Sequence, residues 1–417
     1  MVALSVPRQD EPDLSKAASM IELEASEPRF NAFALSNSQQ EILDLANDFA
    51  RDQLHGLQQR MDNDEWWPDH VMPELAKMGF LGVTVDPADG GAGSDFFTSG
   101  LIAQGLARWN HALALSYVAH ENLCLNNIAR NGSAEIRQAY CKGLCDGSLI
   151  GALALTEPGA GSDALGSMAT TARREGDNYI LNGRKLYITN GPVADVILVY
   201  AKTDKAAGAR GISAFIVEKN FPGFKVAQKL DKMGFRGSPT AELLFDDCVV
   251  PAKNLLGAEN KGVGIVMSGL DLERAIVAMI NVGMAERALD LAIEYAKTRQ
   301  QFGKTIGEFQ LVQGKLAEMY VAVETMKTFC YRTLAYANSI NDGDGGRGEV
   351  HKLTAAAIMY AAEQCSKVVA DAVQIHGGSG YMREMEINRL YRATKLLEIG
   401  AGTTEVRKVI IASELLR

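Results

Sequence analysis

The chain has 417 residues, 47% hydrophobic and 22% charged, the make-up of a soluble globular protein too long for one compact core. Its longest apolar runs are broken by glycine or charge short of membrane-spanning length, and a formal net charge of −9 argues against a general nucleic-acid binder. The six cysteines are scattered with no CxxC pair, so neither a zinc site nor a disulfide framework is expected, and no metal is.

Residues 1–35 are polar and aperiodic and read as an arm without chemistry. They hold several acids and no apolar segment flanked by basics, so no signal or transit peptide is expected, and a cytoplasmic setting is the default. Ser36 suits a helix N-cap, and Ile42, Leu43, Leu45, Ala46, Phe49 and Leu54 give the spacing of an amphipathic helix over 39–61. A second helix follows Pro68, the glycine-rich stretch 82–95 reads as a loop, and helices are expected at 97–109, 111–130 and 133–146. Together these make a helical first domain, 36–148. From 149 to 258 the texture becomes β: strand-like runs occur at 150–155, 179–181, 185–188, 196–200, 212–217 and 241–245. Asn182-Gly183, between two such runs, predicts a tight hairpin, and Asn190-Gly191 another turn. From 259 to 417 the spacing is helical again, in at least four long helices with a glycine-rich break at 341–348. The fold class is therefore α+β, in the order helices, strands, helices.

Within that last region Ser268-Gly269-Leu270-Asp271-Leu272-Glu273-Arg274 places carboxylates inside an apolar helix. Val263, Val266, Met267 and Leu270 precede them, and Ile276, Val277, Ile280 and Val282 follow. Two residues apart on a helix is about 200°, so Asp271 and Glu273 cannot face one pocket. Glu273 is the candidate catalytic base; the alternative is a structural pair with Arg274 or another cation. Other stretches offer ligand contacts. In Thr156-Glu-Pro-Gly-Ala-Gly-Ser-Asp163 glycines let backbone amides approach an anion or a polar ring, unless the segment is only a sharp turn. Tyr187 and Thr189, two apart on a strand, can cover and hydrogen-bond a planar group, or be ordinary sheet residues. The segments 299–310 and 374–381 supply an arginine, amides and close backbone approach for a diphosphate, and 398–405 is a glycine-broken hydroxyl cluster opening the last helix.

In order and spacing the motifs ALTEPGAGSD, YITNGP, KLDKMGFRGSPTAELLFDDC, RQQFGKTIGEFQ, QIHGGSGY and EIGAGTTEVRK resemble those of the acyl-CoA dehydrogenases, from about residue 37 to the end. The resemblance implies an N-terminal helical domain, a β-barrel-like middle domain and a C-terminal four-helix bundle. It also implies FAD as cofactor, electron-transfer flavoprotein as acceptor and a homotetramer. The commoner base position of the family is Ala401 here, whereas MSGLDLER resembles the branch of isovaleryl-CoA dehydrogenase, which carries its base at the position of Glu273. The implied reaction removes an α-proton from a short or branched acyl-CoA, isovaleryl-CoA first, and a β-hydride, leaving the trans-2-enoyl-CoA; leucine or fatty-acid breakdown is the implied setting.

By the same resemblance Leu155, Thr156, Gly161, Ser162, Tyr187, Ile188 and Thr189 contact the flavin, with Thr403, Thr404 and Glu405 from the last helix. Arg299, Phe302, Gln310, Gln374, Gly377 and Gly378 hold the FAD of a neighbouring subunit. Ser162, Tyr200, Ala201, Asp271, Leu272, Arg274, Ala401 and Gly402 contact the substrate, the Ala401 N–H facing the thioester oxygen. Tyr187 stands where the branch has Trp, a change in flavin packing, and Gly264 where it has Tyr, which enlarges the cavity and leaves open a larger branched chain such as citronellyl-CoA, a medium-length one or a short straight one. A non-catalytic acyl-CoA or flavin-binding protein is the alternative class. A eukaryotic source would place the chain in the mitochondrial matrix.

Overall fold

The computed structural model describes residues 35–339 and 346–417, so the expected arm before Leu35 and most of the glycine-rich break lie outside the described residues. Helix α1 (Asn37–Phe49) opens on a capping box, the Ser36 hydroxyl accepting from the Gln39 N–H and the Gln39 side chain from the Ser36 N–H. A π turn (Ala50–Leu54) and a 3-10 turn (His55–Leu57) lead on into α2 (Gln58–Asp64), so the single helix expected over 39–61 bends. Helices α3 (Val71–Lys77), α4 (Phe96–Val118), α5 (Asn126–Asn131) and α6 (Ala134–Cys145) complete the first domain. Asn110, where the apolar spacing lapses, leaves helical geometry inside α4 at φ −152° and ψ 83°. Its amide donates to the Leu54 carbonyl and accepts from the Leu113 N–H, restarting the helix like an N-cap.

The middle domain is one eight-stranded sheet: β1 (Gly151–Ala154), β2 (Thr171–Glu175), β3 (Asn178–Thr189), β4 (Val196–Lys202), β5 (Ile212–Glu218), β6 (Phe224–Lys229), β7 (Thr240–Pro251) and β8 (Leu255–Leu256). The order is β6-β7-β3-β2-β4-β5-β8, with β1 parallel to β4. Tyr179 of β3 and Phe215 of β5 have two strands between them in the order, yet their rings lie 4.9 Å from each other, so the sheet curls over its own face. Every residue of β4 before Lys202 is buried. Ile197, Val199 and Ala201 point into the core inside the curl, while Val196, Leu198 and Tyr200 meet Cys124, Ile128, Leu144, Ile265 and Val266 of the helical domains.

The hairpin expected at Asn182-Gly183 is absent: residues 178–189 form one continuous strand, and the tight turn is Gly176-Asp177, joining Glu175 to its partner Asn178. Asn182 instead serves a bulge, its amide donating to the Asp247 carboxylate and accepting the Asp247 N–H. Gly183, at φ +151°, is required because a Cβ there would lie 2.4 Å from the Thr170 hydroxyl. Strands β2 and β6 were not expected; both are polar and largely exposed, so alternation gives no signal.

The C-terminal domain comprises α7 (Gly262–Thr298), α8 (Gln310–Asn338), α9 (Gly348–His376), α10 (Glu386–Ile399) and α11 (Thr404–Leu415). Helix α7 is wrapped by α4, α8 and α9, which is why Ala275 to Ala285 are buried on every face. At 37 residues it is about 55 Å long, so its two ends serve different surroundings.

Asn190 holds two domains together. It adopts φ 64°, and its amide donates to the carbonyls of Ser116 in α4 and Gly151 in β1 at 2.9 and 3.1 Å. Asn190→Ala should cost about 2–4 kcal/mol, from two lost buried hydrogen bonds and an alanine in the left-handed region. A fall of several degrees in the apparent unfolding temperature is expected; an unchanged value would contradict this role.

Candidate active site

Glu273 sits in the first half of α7, 8% exposed, and its Oε2 is buried with no hydrogen-bond partner among the described residues. Burial pushes its carboxyl up to about 7, against the pull of Arg274 and Arg407. The structural pairing with Arg274 does not form. Arg274 turns to Asp271 at 3.0 Å and to the Ala401 carbonyl at 3.2 Å. Asp271, on the other side of the helix as the spacing required, also takes His351 Nδ1 at 2.6 Å and the Gly346 N–H. Its hydrogen-bond partners among the described residues are thus all protein groups, and it is 1% exposed.

A second carboxylate isolates what matters here. Burial also pushes Glu121 up to about 7, but its two oxygens accept the N–H groups of Gly82 and Val83 at 2.8 Å each. Glu121 is spent on fixing the 82–95 loop, whereas Glu273 has a free oxygen to accept a proton.

The turn between α10 and α11 lies against this part of α7. Ala401 (φ 55°) and Gly402 (φ 95°) are left-handed, Arg274 holds the Ala401 carbonyl, and the Thr403 hydroxyl caps α11 by accepting the Val406 N–H. Thr404 points its hydroxyl back to the Glu398 carbonyl, and Glu405 is exposed. Leu272, next to the base, is half-buried.

The 155–163 loop is fastened to β3 by a pair that sequence reasoning did not single out. Lys185, fully buried, donates to the Leu155 carbonyl at 2.9 Å and to Glu157 Oε1 at 2.8 Å. Glu157 also accepts the N–H groups of Ala169 and Thr170. Thr156 between them stays half-buried, its carbonyl taking the Leu186 N–H. Beyond it Gly161 and Ser162 are exposed, and a Cβ at Gly161 would meet open space. A bulge in β3 between Lys185 and Ile188, with Tyr187 at φ 63°, turns the Tyr187 ring outward to 66% exposure beside half-buried Thr189. An open aromatic face, two hydroxyls and accessible amides therefore converge, which fits a planar polar ring. The visible signal for Lys185 and Glu157 was two opposite charges in otherwise apolar or turn segments.

Three of the expected contact residues turn their side chains into the protein core. Ile188 is buried in the core inside the curled sheet, so its side chain cannot touch a ring above β3. Tyr200 and Ala201 are fully buried on the two faces of β4, so neither side chain is open to a substrate.

Arg299, Phe302 and Gln310 lie on and after the far end of α7, all exposed, Phe302 to 92%. Gln374, Gly377 and Gly378 are exposed at the end of α9, where His376 stacks on Tyr295 at 4.4 Å. These two groups share one end of the molecule. Glu273 and Arg299 are separated by about 39 Å of helix at ~1.5 Å per residue, so they cannot serve one pocket of a single chain.

Glu157→Gln should leave Lys185 a buried cation without its counter-ion, at a cost of about 3–5 kcal/mol. Glu157→Leu with Lys185→Met should recover much of that. Denaturant unfolding of the three proteins checks the claim, and a double variant no better than the single one would contradict it.

The chain matches three family models in succession: "Acyl-CoA dehydrogenase, N-terminal domain" over 36–148, "middle domain" over 152–248 and "C-terminal domain" over 260–416. It is 41% identical to isovaleryl-CoA dehydrogenase, mitochondrial, of Solanum tuberosum over 398 residues, 94% of each chain. Butyryl-CoA dehydrogenase of Megasphaera elsdenii has the same fold at a TM-score of 0.87 and 37% identity, covering 92% of this chain and all of that one. The FAD complex of PigA aligns at a TM-score of 0.86 and 32% identity, covering 92% of this chain and 98% of the other. The chain belongs to the acyl-CoA dehydrogenase family, oxidoreductases acting on CH–CH bonds.

Proposed function

We propose that this chain dehydrogenates a short branched acyl-CoA, isovaleryl-CoA first, to its trans-2-enoyl-CoA, with Glu273 as the base and FAD as cofactor. The observation that carries the reading is the buried, unpartnered oxygen of Glu273 beside the 400–402 turn. FAD, when bound, accepts the hydride and passes the electrons on. An α-proton of a thioester is too weakly acidic for a carboxylate in water. Burial of Glu273 raises its basicity, and the Ala401 N–H before α11 would receive the negative charge that grows on the thioester oxygen. Thr156, Tyr187, Thr189 and the amides at Gly161 and Ser162 would hold the ring, with Thr403 and Gly402 close to the Glu273 side.

The reading includes the partners. Arg299, Phe302, Gln310, Gln374, Gly377 and Gly378 would complete the cofactor site of a neighbouring copy within a homotetramer, a reading that their exposure and their distance from Glu273 support. Electron-transfer flavoprotein is the proposed acceptor. The proposed division is 36–148, 149–258 and 259–417, and the proposed setting a bacterial cytoplasm or a mitochondrial matrix. A second reading is a larger branched acyl chain, which Gly264 supports in that a Cβ there would meet open space.

Anaerobic mixing with isovaleryl-, 2-methylbutyryl-, butyryl-, octanoyl- and citronellyl-CoA distinguishes these readings. Bleaching of the oxidised flavin band is expected fastest with isovaleryl-CoA; fastest bleaching by citronellyl-CoA would shift the substrate and keep the chemistry, and none at all in a flavin-loaded protein would overturn the assignment.

The raised Glu273 carboxyl sets two signs. Only the ionised form accepts a proton, so kcat/KM should climb with pH through about 7. Because the native carboxyl titrates above its ordinary 4.5, the fold binds this proton more tightly than the unfolded chain and loses stability as pH rises from 4.5 to about 7. Glu273→Gln should therefore melt no lower than wild type at pH 8 while turnover drops about 10²–10⁴-fold. A flat pH profile, or a strongly destabilised variant with full activity, would contradict the role.

A further inference from the structure

Arg407 of α11 is fully buried and forms no ion pair among the described residues. One of its nitrogens donates to the carbonyls of Leu397, at 2.9 Å, and of Gly400; its Nε and remaining NH1 have no partner among the described residues. A buried guanidinium with no carboxylate hydrogen-bonded to it is costly, and burial together with Arg274 lowers its pKa to about 10 against the pull of Glu273, Glu398 and Glu363. Packing alone does not call for a cation at such a place. What distinguishes the position is the acceptor. The Gly400 carbonyl and the Ala401 N–H belong to one planar peptide unit, and a cation donating to the oxygen of an amide withdraws charge through it and makes its N–H a stronger donor. The next carbonyl, that of Ala401, is held by Arg274. Two guanidiniums thus grip consecutive carbonyls and fix a turn that runs through φ 55° and φ 95°.

Resting on the proposed reaction, we infer that Arg407 is a positioning residue that polarises the Gly400–Ala401 peptide, strengthening the Ala401 N–H as the donor to the substrate's thioester oxygen. The α-proton moves to Glu273, the electron pair it leaves is delocalised onto the thioester oxygen, and the polarised N–H lowers the energy of that charge. Arg407 touches neither substrate nor base in this scheme. Its effect belongs to the charged state of the substrate more than to the ground state, so it appears in kcat before KM.

The test is the infrared carbonyl frequency of a thioester-¹³C-labelled enoyl-CoA product bound to the holoenzyme, for wild type and for Arg407→Met, Arg407→Gln and Arg407→Lys. Methionine fills much of the same volume and removes an unpaired buried charge, so the fold is expected to survive. The expected result is a bound thioester band displaced to lower frequency in wild type, displaced less in the methionine variant, intermediate with glutamine and nearest wild type with lysine. Turnover should fall about tenfold with KM little changed, less than the ~10²–10³-fold loss of an oxyanion donor outright. A merely structural arginine would change melting temperature and leave the band of a folded variant where it was. An undisplaced methionine or glutamine variant, with the wild-type band displaced, overturns the role of Arg407 alone. Should methionine fail to fold, glutamine against lysine decides in the same way. A wild-type band at the frequency of the free ligand overturns the proposed site itself.

Discussion

The site depends on keeping one buried carboxylate oxygen, Oε2 of Glu273, without a hydrogen-bond partner among the described residues. Both cations near Glu273 are engaged elsewhere: Arg274 by Asp271 and the Ala401 carbonyl, Arg407 by the carbonyls of Leu397 and Gly400. Were either to close on Glu273, the carboxyl would return towards its ordinary range and lose its basicity. Asp271 is therefore as necessary as Glu273, because it absorbs the neighbouring guanidinium and ties it to His351 and the start of the α9 segment. Holding this arrangement needs a rigid α7, and the helix is rigid because α4, α8 and α9 cover it on all sides.

The middle domain solves a different problem, that of presenting an open, half-polar surface on a dry sheet. Strand β4 separates two apolar cores and leaves nothing for a ligand, so the polar face falls to β3 and the loop after β1. The Lys185–Glu157 pair locks that loop down, and the bulge turns Tyr187 outward while Lys185 and Ile188 stay inside. Helix-terminal and turn residues then complete the surface at Ala401 and Gly402, where left-handed backbone brings the chain close to α7.

Much of this was legible in the chain. The helices, strands, helices order, the lapse at Asn110 and the opposition of Asp271 and Glu273 all follow from periodicity, which reports burial directly. What periodicity cannot report is pairing across the fold. Asn182-Gly183 has the composition of a hairpin turn but is used as a bulge, because Asp247 on β7 supplies its partner. Asp271, Tyr200 and Ala201 sit in ligand-like motifs yet are consumed by His351, Gly346 and the two cores of β4. The Glu157–Lys185 bond joins residues 28 apart through a loop whose path no local signal gives. Conversely, Phe302 and its neighbours stand exposed at the far end of α7, about 39 Å of helix from Glu273.

The most direct test of Glu273 as the base is the rate at which the α-hydrogens of a bound acyl-CoA exchange with deuterium from D₂O under anaerobic conditions, in wild type and in Glu273→Gln. Exchange reports proton removal alone, apart from any later electron transfer. The arrangement described here requires measurable exchange in wild type and at least a hundredfold loss in the variant with acyl-CoA affinity retained, within the ~10²–10⁴-fold range of a general base. Equal exchange in the two proteins would place the base elsewhere.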